Sequence, residues 1–219
     1  MTTTPTASTR TVDRALDLLA AVTEQPRLSL TEAARATELP ASTALRLLRS
    51  LEGAGLVARD DDGLFHPGPS LIRLGARAFS RAPLVDLSRA PMRDVVARTG
   101  ESVYLSVAAG PDTAVYLAIE EGTHSVRHTN WAGRTVPLTG TAVGEALRGH
   151  VAAGASVLRT DTVESDVTAL SSPVVVHGTP VGALSTLVPT YRCTDELAAR
   201  CGEALVAATA EIARRLGEG

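Results

Sequence analysis

The chain has 219 residues, 44% of them hydrophobic, no lysine among its basic residues, and a net charge of −3. That length suits one large domain or two small ones with a real core. No apolar run approaches the roughly 18 residues of a membrane span, and the opening "MTTTPTASTR" lacks the apolar stretch of a secretory signal.

Residues 1–9 read as a flexible polar tail, and the expected location is the cytoplasm. Two cysteines, Cys193 and Cys201, do not make a disulfide framework. The first structured stretch, "VDRALDLLAAVTE" (12–24), places Val12, Ala15, Leu16, Leu19 and Val22 at helical spacing, and Pro26 closes it. Ser29 and Glu32 form a capping box for a second helix, "LTEAARATEL". Pro40 opens a third helix, and Gly53 and Gly55 end it. "LVARD" and "LFHPG" then flank Asp62-Gly63 as a short hairpin. Three helices with a very short second connection, followed by a hairpin, spell a winged helix-turn-helix over residues 10–69.

Residues 70–99 return to helical spacing, interrupted at Pro83 and Pro91, with 70–82 as a linker helix. Its Leu71, Ile72, Leu74 and Phe79 exceed what an isolated tether needs and are expected to pack on a partner subunit. From Glu101 the period changes to two: "SVYLSVA" and "AVYLAI" alternate around Gly110-Pro111-Asp112. "HSVRHTN" reads as a third strand, "TGTAVGEALRG" as helix, and "SSPVVVH" with "VGALSTLVP" as a last hairpin. Thr194 caps a closing helix. Strands with flanking helices give an antiparallel α+β domain over 83–219.

The third helix carries the clearest functional pattern. Ser42, Thr43, Arg46, Arg49 and Ser50 share an arc of about 120°, while Ala44, Leu45, Leu47, Leu48 and Leu51 fill the opposite one. The polar arc has donors of two lengths and no carboxylate, which suits a DNA major groove. The surrounding charge is unhelpful, since between residues 10 and 75 nine acids face eight arginines. Asp60, Asp61 and Asp62 would hold the wing tip away from phosphates. His124 and His128 would lie roughly 13 Å apart on a strand, too far for one zinc, so no metal is expected. No catalytic or nucleotide-binding motif stands out, so no enzyme activity and no cofactor are expected. Gly140 and Thr141 begin a helix whose free N–H groups attract an anion, and Gly144 leaves room for a close neighbour.

The motifs "LSLTEAARATELPASTALRLLRSLEGAGLVARDDDGLFHPGPSLIRLG", "TGESVYLSV", "GRTVPLTGTAVGEAL" and "SSPVVVHGTPVGALST" together resemble the IclR family of bacterial transcriptional regulators. The resemblance implies a winged helix, a linker helix and a GAF-like effector domain assembled as a homodimer or tetramer. It implies an operator-binding regulator, read as a repressor, controlled by a small molecule such as a small organic acid. The alternative is a ligand-independent regulator whose second domain serves only assembly or partner binding. By the resemblance, Ser42, Thr43 and Arg46 face DNA, and Gly140, Thr141, Ala142, Asp161, Ala169, Ser185 and Leu187 meet the effector. Between "GEALRGH" and "VLRTDTVESDV" the family carries an extra helical segment. Here only "VAAGAS" stands, which implies a shortened domain with a shallower, more open site or one covered by a neighbouring subunit.

Overall fold

The computed structural model describes residues 9–79, 83–125, 131 and 133–218, and the chain forms two compact units, 1–81 and 82–219. In the first unit, α1 (Arg10–Glu24), α2 (Leu30–Ala36) and α3 (Ala41–Gly53) surround a core of Leu18, Val22, Leu28, Leu47, Leu48, Leu51, Val57 and Phe65. The Ser29 hydroxyl accepts the Glu32 N–H while the Glu32 carboxylate accepts the Ser29 N–H, so the expected capping box is formed. Helix α2 is shorter than its periodicity suggests. It stops at Ala36, and Glu38 turns into the left-handed region (φ 53°) to swing the chain into α3.

The wing is β1 (Val57–Arg59) paired antiparallel with β2 (Phe65–Pro67). Leu28 adds a single bridge to Phe65, so the wing is tied into the α1–α2 connection. The same connection carries Arg27, whose guanidinium lies 2.7 Å from Asp60 and 3.5 Å from Asp62. The N–H of Leu64 donates to Asp60 and holds its carboxyl below the usual range. Two of the three wing acids are therefore engaged within the unit. Helix α4 (Pro69–Phe79) follows, leaving Ile72 and Leu74 exposed at 66% and 53%; Val12 and Leu16 of α1 are similarly bare.

The second unit is a six-stranded antiparallel sheet with strand order β5-β4-β3-β8-β7-β6. Its strands are β3 (Val103–Ala108), β4 (Thr113–Glu120), β5 (Thr135–Pro137), β6 (Val157–Thr160), β7 (Val167–Val176) and β8 (Thr179–Pro189). Helices α5 (Pro83–Thr99) and α7 (Asp195–Gly217) cover one face over Val103, Leu105, Leu170, Leu184 and Val188. Helix α6 (Ala142–Leu147) lies on the other, with Tyr104, Tyr116, Trp131 and Leu187. The Thr194 hydroxyl accepts the Leu197 N–H and starts α7.

Several expectations are revised. Pro91 does not break the helix: α5 runs through it because Val85, Ser88, Met92, Val95 and Thr99 form one buried stripe, whose packing offsets the roughly 3 kcal/mol cost of an interior proline. The third strand read at "HSVRHTN" falls mostly on residues outside those described. The edge strand beside β4 is instead Thr135–Pro137. In β4 the alternation is interrupted, since Leu105 faces Ala118 but Ser106 faces Tyr116. The extra residue, Leu117, puts Tyr116 and Ile119 on one face. Gly144 makes room for its own chain, because a Cβ there would sit 1.7 Å from the Leu138 carbonyl oxygen. The chain passes from α6 to β6 through residues 148–156 without a helix.

A buried ion pair ties the unit's loops together. Glu101, wholly buried between α5 and β3, accepts Arg192 Nε at 2.9 Å and Nη2 at 2.8 Å, and His124 Nε2 lies 3.4 Å away. Arg192 belongs to a 3₁₀ turn (Thr190–Arg192) that leads into α7. Arg192→Ala strips Glu101 of its bidentate partner and is expected to lower the second unit's stability by about 3 kcal/mol, read as a reduced urea midpoint. An unchanged midpoint would show the pair to be dispensable. Gly144→Ala is expected to cost about 1–3 kcal/mol, the overpacking range, by the same measurement; a neutral effect would mean that α6 is free to lift.

Candidate functional site

Two features carry chemistry, one in each unit. The first is the outer face of α3. Ala44, Leu47, Leu48 and Leu51 are buried, which turns Ser42, Arg46, Arg49 and Ser50 outward with Thr43 half-buried at the edge. Ser50 donates its hydroxyl proton to the Arg46 carbonyl, an internal bond that keeps its side chain on the helix. Neither the Arg46 nor the Arg49 guanidinium joins an ion pair among the described residues. Helix α3 has no acid in its first turn, and Glu52 lies off the polar arc at its far end. All four sequence-selected residues, Ser42, Thr43, Arg46 and Arg49, thus stand together on one accessible surface. A helix of 13 residues with donors along one side fits a groove about 12 Å wide.

The second is a narrow cleft of about 400 Å³, open mouth included, between the sheet face under α6 and the β6–β7 loop. Tyr116 and Trp131 form its aromatic wall. Thr141, Ala142 and Val143 at the start of α6 form the roof, and Thr162, Val163 and Glu164 stand at the loop side. Val167, Ala169, Ser171, Ser185 and Leu187 make the floor. The floor follows from strand alternation: β7 and β8 turn these residues to one face and Leu170, Leu184 and Val188 to the other.

The aromatic wall is layered. The Tyr104 and Tyr116 ring centroids are 4.8 Å apart, Trp131 lies 6.0 Å beyond Tyr116, and the Arg134 guanidinium rests 4.4 Å over the indole. Burial, with a smaller contribution from the Glu164 charge, pushes the Tyr116 phenol up to about 12. Tyr116 therefore keeps its proton at neutral pH and serves the cleft as a donor or acceptor. Burial raises Tyr104 as well. On the floor, the Ser171 and Ser185 hydroxyls meet at 2.7 Å, both buried. On the roof, Thr141 donates to the Pro137 carbonyl and accepts the Gly144 N–H, so its hydroxyl is committed to capping α6. The cap takes the third N–H of that helix and leaves those of Ala142 and Val143, like that of Thr141 itself, without an intrahelical acceptor.

Of the seven residues read as effector contacts, Thr141, Ala142, Ala169, Ser185 and Leu187 line this cleft together. Two do not. Gly140 is exposed, with a φ of 76° that sets the turn into α6. Asp161 is exposed in a left-handed conformation (φ 57°), and its carboxylate accepts the Asp166 N–H, so its work is to close the β6–β7 turn. Arg134 is occupied on Trp131, and Arg127 lies outside the described residues. Sequence reasoning missed Tyr116, Trp131 and Ser171. Tyr116 and Ser171 sit at ordinary alternating strand positions, and only the sole tryptophan was a signal worth following.

A protein-family model for the IclR helix-turn-helix domain matches residues 11–61, and one for the bacterial transcriptional regulator IclR C-terminal domain matches residues 76–154. The second match ends in the connection between α6 and β6. The HTH-type transcriptional regulator BhcR of Paracoccus denitrificans (strain Pd 1222) is 31% identical over 142 residues, 64% of this chain and 50% of that protein. The chain thus spans about half the length of that curated relative. Among solved structures, an IclR transcriptional regulator from Alicyclobacillus acidocaldarius superposes with a TM-score of 0.80 at 22% identity, covering 94% of this chain and 98% of that one. An IclR homolog complexed with 4-hydroxybenzoate from Microbacterium hydrocarbonoxydans gives 0.78 at 18% identity, over 95% and 100%. These structures share the fold, including the sheet and closing helix beyond residue 154. With both halves matched by models of one family, and the two-sided α3 and roofed cleft in the corresponding domains, the chain belongs to the IclR family of transcriptional regulators.

Proposed function

We propose that the protein is a sequence-specific DNA-binding repressor that works as a homodimer or tetramer and answers to a small molecule held in the cleft of its second unit. The observation that carries this reading is the α3 surface: Ser42, Arg46 and Arg49 exposed together with Thr43 half-buried at their edge, without a carboxylate among them. The first unit holds ten arginines against nine acids, a surplus of only one, so affinity must come from this local concentration of donors and from two copies acting at once. The Arg27 pairing with Asp60 and Asp62 supports the reading by lowering the repulsion that the wing acids would present to phosphates. Ile72 and Leu74 on α4, with Val12 and Leu16 on α1, supply an exposed apolar surface in the same unit for a second copy to cover. For the effector, the cleft has apolar walls and a few convergent hydroxyls, the usual make-up of a small-molecule site. The 4-hydroxybenzoate bound by the Microbacterium homolog supports a compact organic ligand.

Coupling needs the ligand to favour one arrangement of the paired winged helices, and a typical coupling of about 1–3 kcal/mol changes operator affinity roughly 5–150-fold. The first test is fluorescence anisotropy with DNA from upstream of the protein's own gene. Arg46→Ala is expected to cost about 1–3 kcal/mol and to relax the requirement at one base pair. Equal loss on every sequence would make Arg46 a phosphate contact, and no loss would remove α3 as the reading element. The second test is sedimentation of the Ile72→Asp, Leu74→Asp double variant. It is expected to weaken self-association and operator binding together; if neither changes, this surface is not where copies meet.

A further inference from the structure

Resting on the reading of the cleft as a ligand site, we infer that Ser171 and Ser185 act as one device that presents a single hydrogen-bond donor to a ligand oxygen. This makes Ser171 a specificity-determining residue. The two serines stand directly opposite each other on β7 and β8, both side chains on the cleft face. Ser171 is wholly buried and Ser185 is 1% exposed, and their oxygens are 2.7 Å apart. Two hydroxyls that share one hydrogen bond use one proton between them. The partner that accepts still has its own O–H to place. Neither hydroxyl has a second protein partner among the described residues. The neighbours on the same face do not provide one: Ala169 and Leu187 are apolar, Thr141 is engaged with Pro137 and Gly144, and Tyr104, opposite Ser185 on β3, makes no hydrogen bond to either serine.

The surplus proton therefore points into the cleft, where a buried donor is costly unless something accepts it. The complementary ligand has a compact flat body, to lie against Tyr116 and Trp131, and an oxygen acceptor at the end that enters first. A carbonyl, a carboxylate oxygen or an ether meets that need; a hydrocarbon of the same shape does not. The pair also has a freedom that a lone serine lacks. Either hydroxyl can be the one that donates outward, so the donor can shift between two positions on the floor to meet ligands of slightly different length.

The probes are acetophenone and 2-phenylpropene, which differ only in a carbonyl oxygen replaced by a methylene. The readout is the indole N–H resonance of Trp131, the sole tryptophan, in full-length protein titrated with each compound. Wild type is expected to prefer the ketone about tenfold, the worth of one well-made hydrogen bond. Ser171→Ala and Ser185→Ala alone are expected to keep part of that preference, because the remaining hydroxyl turns its proton to the ligand. The double variant is expected to lose it, with near-ultraviolet circular dichroism unchanged. Equal binding of both probes to wild type, or complete loss of preference in Ser185→Ala alone, would overturn the role of the pair and leave the cleft standing. If neither probe moves the Trp131 resonance, the cleft reading itself falls and takes the pair with it.

Discussion

The second unit depends on how β8 is held between β3 and β7. Three antiparallel strands in fixed register give the sheet two faces with different tasks, one sealed by α5 and α7 and one left as the floor of a cleft. The hairpin between β7 and β8 turns at His177-Gly178, both at positive φ. Counted from that turn, Ser185 would oppose Leu170. The register shift between Val174 and Val175, which leaves Val181 as the extra residue, places Ser185 opposite Ser171 instead. A one-residue slip changes which side chains share a face, so this bulge decides that two hydroxyls meet on the cleft floor. The shift in β4 does the same for Tyr116 and Ile119.

The first unit solves a different problem, that of presenting cations from a unit whose ten arginines barely outnumber its nine acids. It does so by pairing two of the three wing acids internally with Arg27 and Glu32 with Ser29, and by keeping the α3 arc free of carboxylates. The apolar side of α3 fixes the orientation of its polar side, since Leu47, Leu48 and Leu51 cannot leave the core without exposing it. Under the proposed function, recognition and stability lie on the same 13 residues, the polar arc serving the first and the apolar arc the second.

Local patterns were the legible part of the sequence. The capping box at Ser29 and Glu32, the Thr194 cap, the Asp62-Gly63 turn and the two-sided third helix each depend on residues within a few positions of one another. Features set by distant contacts were not legible. Pro91 looks like a helix breaker until α7 packs against it, and Thr135–Pro137 is too short to show a period. Neither sheet bulge leaves a mark in composition. The same division runs through the cleft. Thr141, Ala142, Ala169, Ser185 and Leu187 could be named from the family resemblance, and the structure brings them together. Asp161 lies nearby in sequence but is used by its turn, and Ser171 enters only through a register that no local pattern shows.

The central claim is that α3 reads base edges in the major groove as part of a symmetric assembly. Methylation protection of guanine N7 on DNA from upstream of the protein's own gene addresses it most directly, because N7 faces the major groove. The account predicts two protected clusters related by a near-palindrome and separated by about one helical turn or a multiple of it. Protection spread evenly along the DNA, or a single cluster without a symmetric mate, would contradict it.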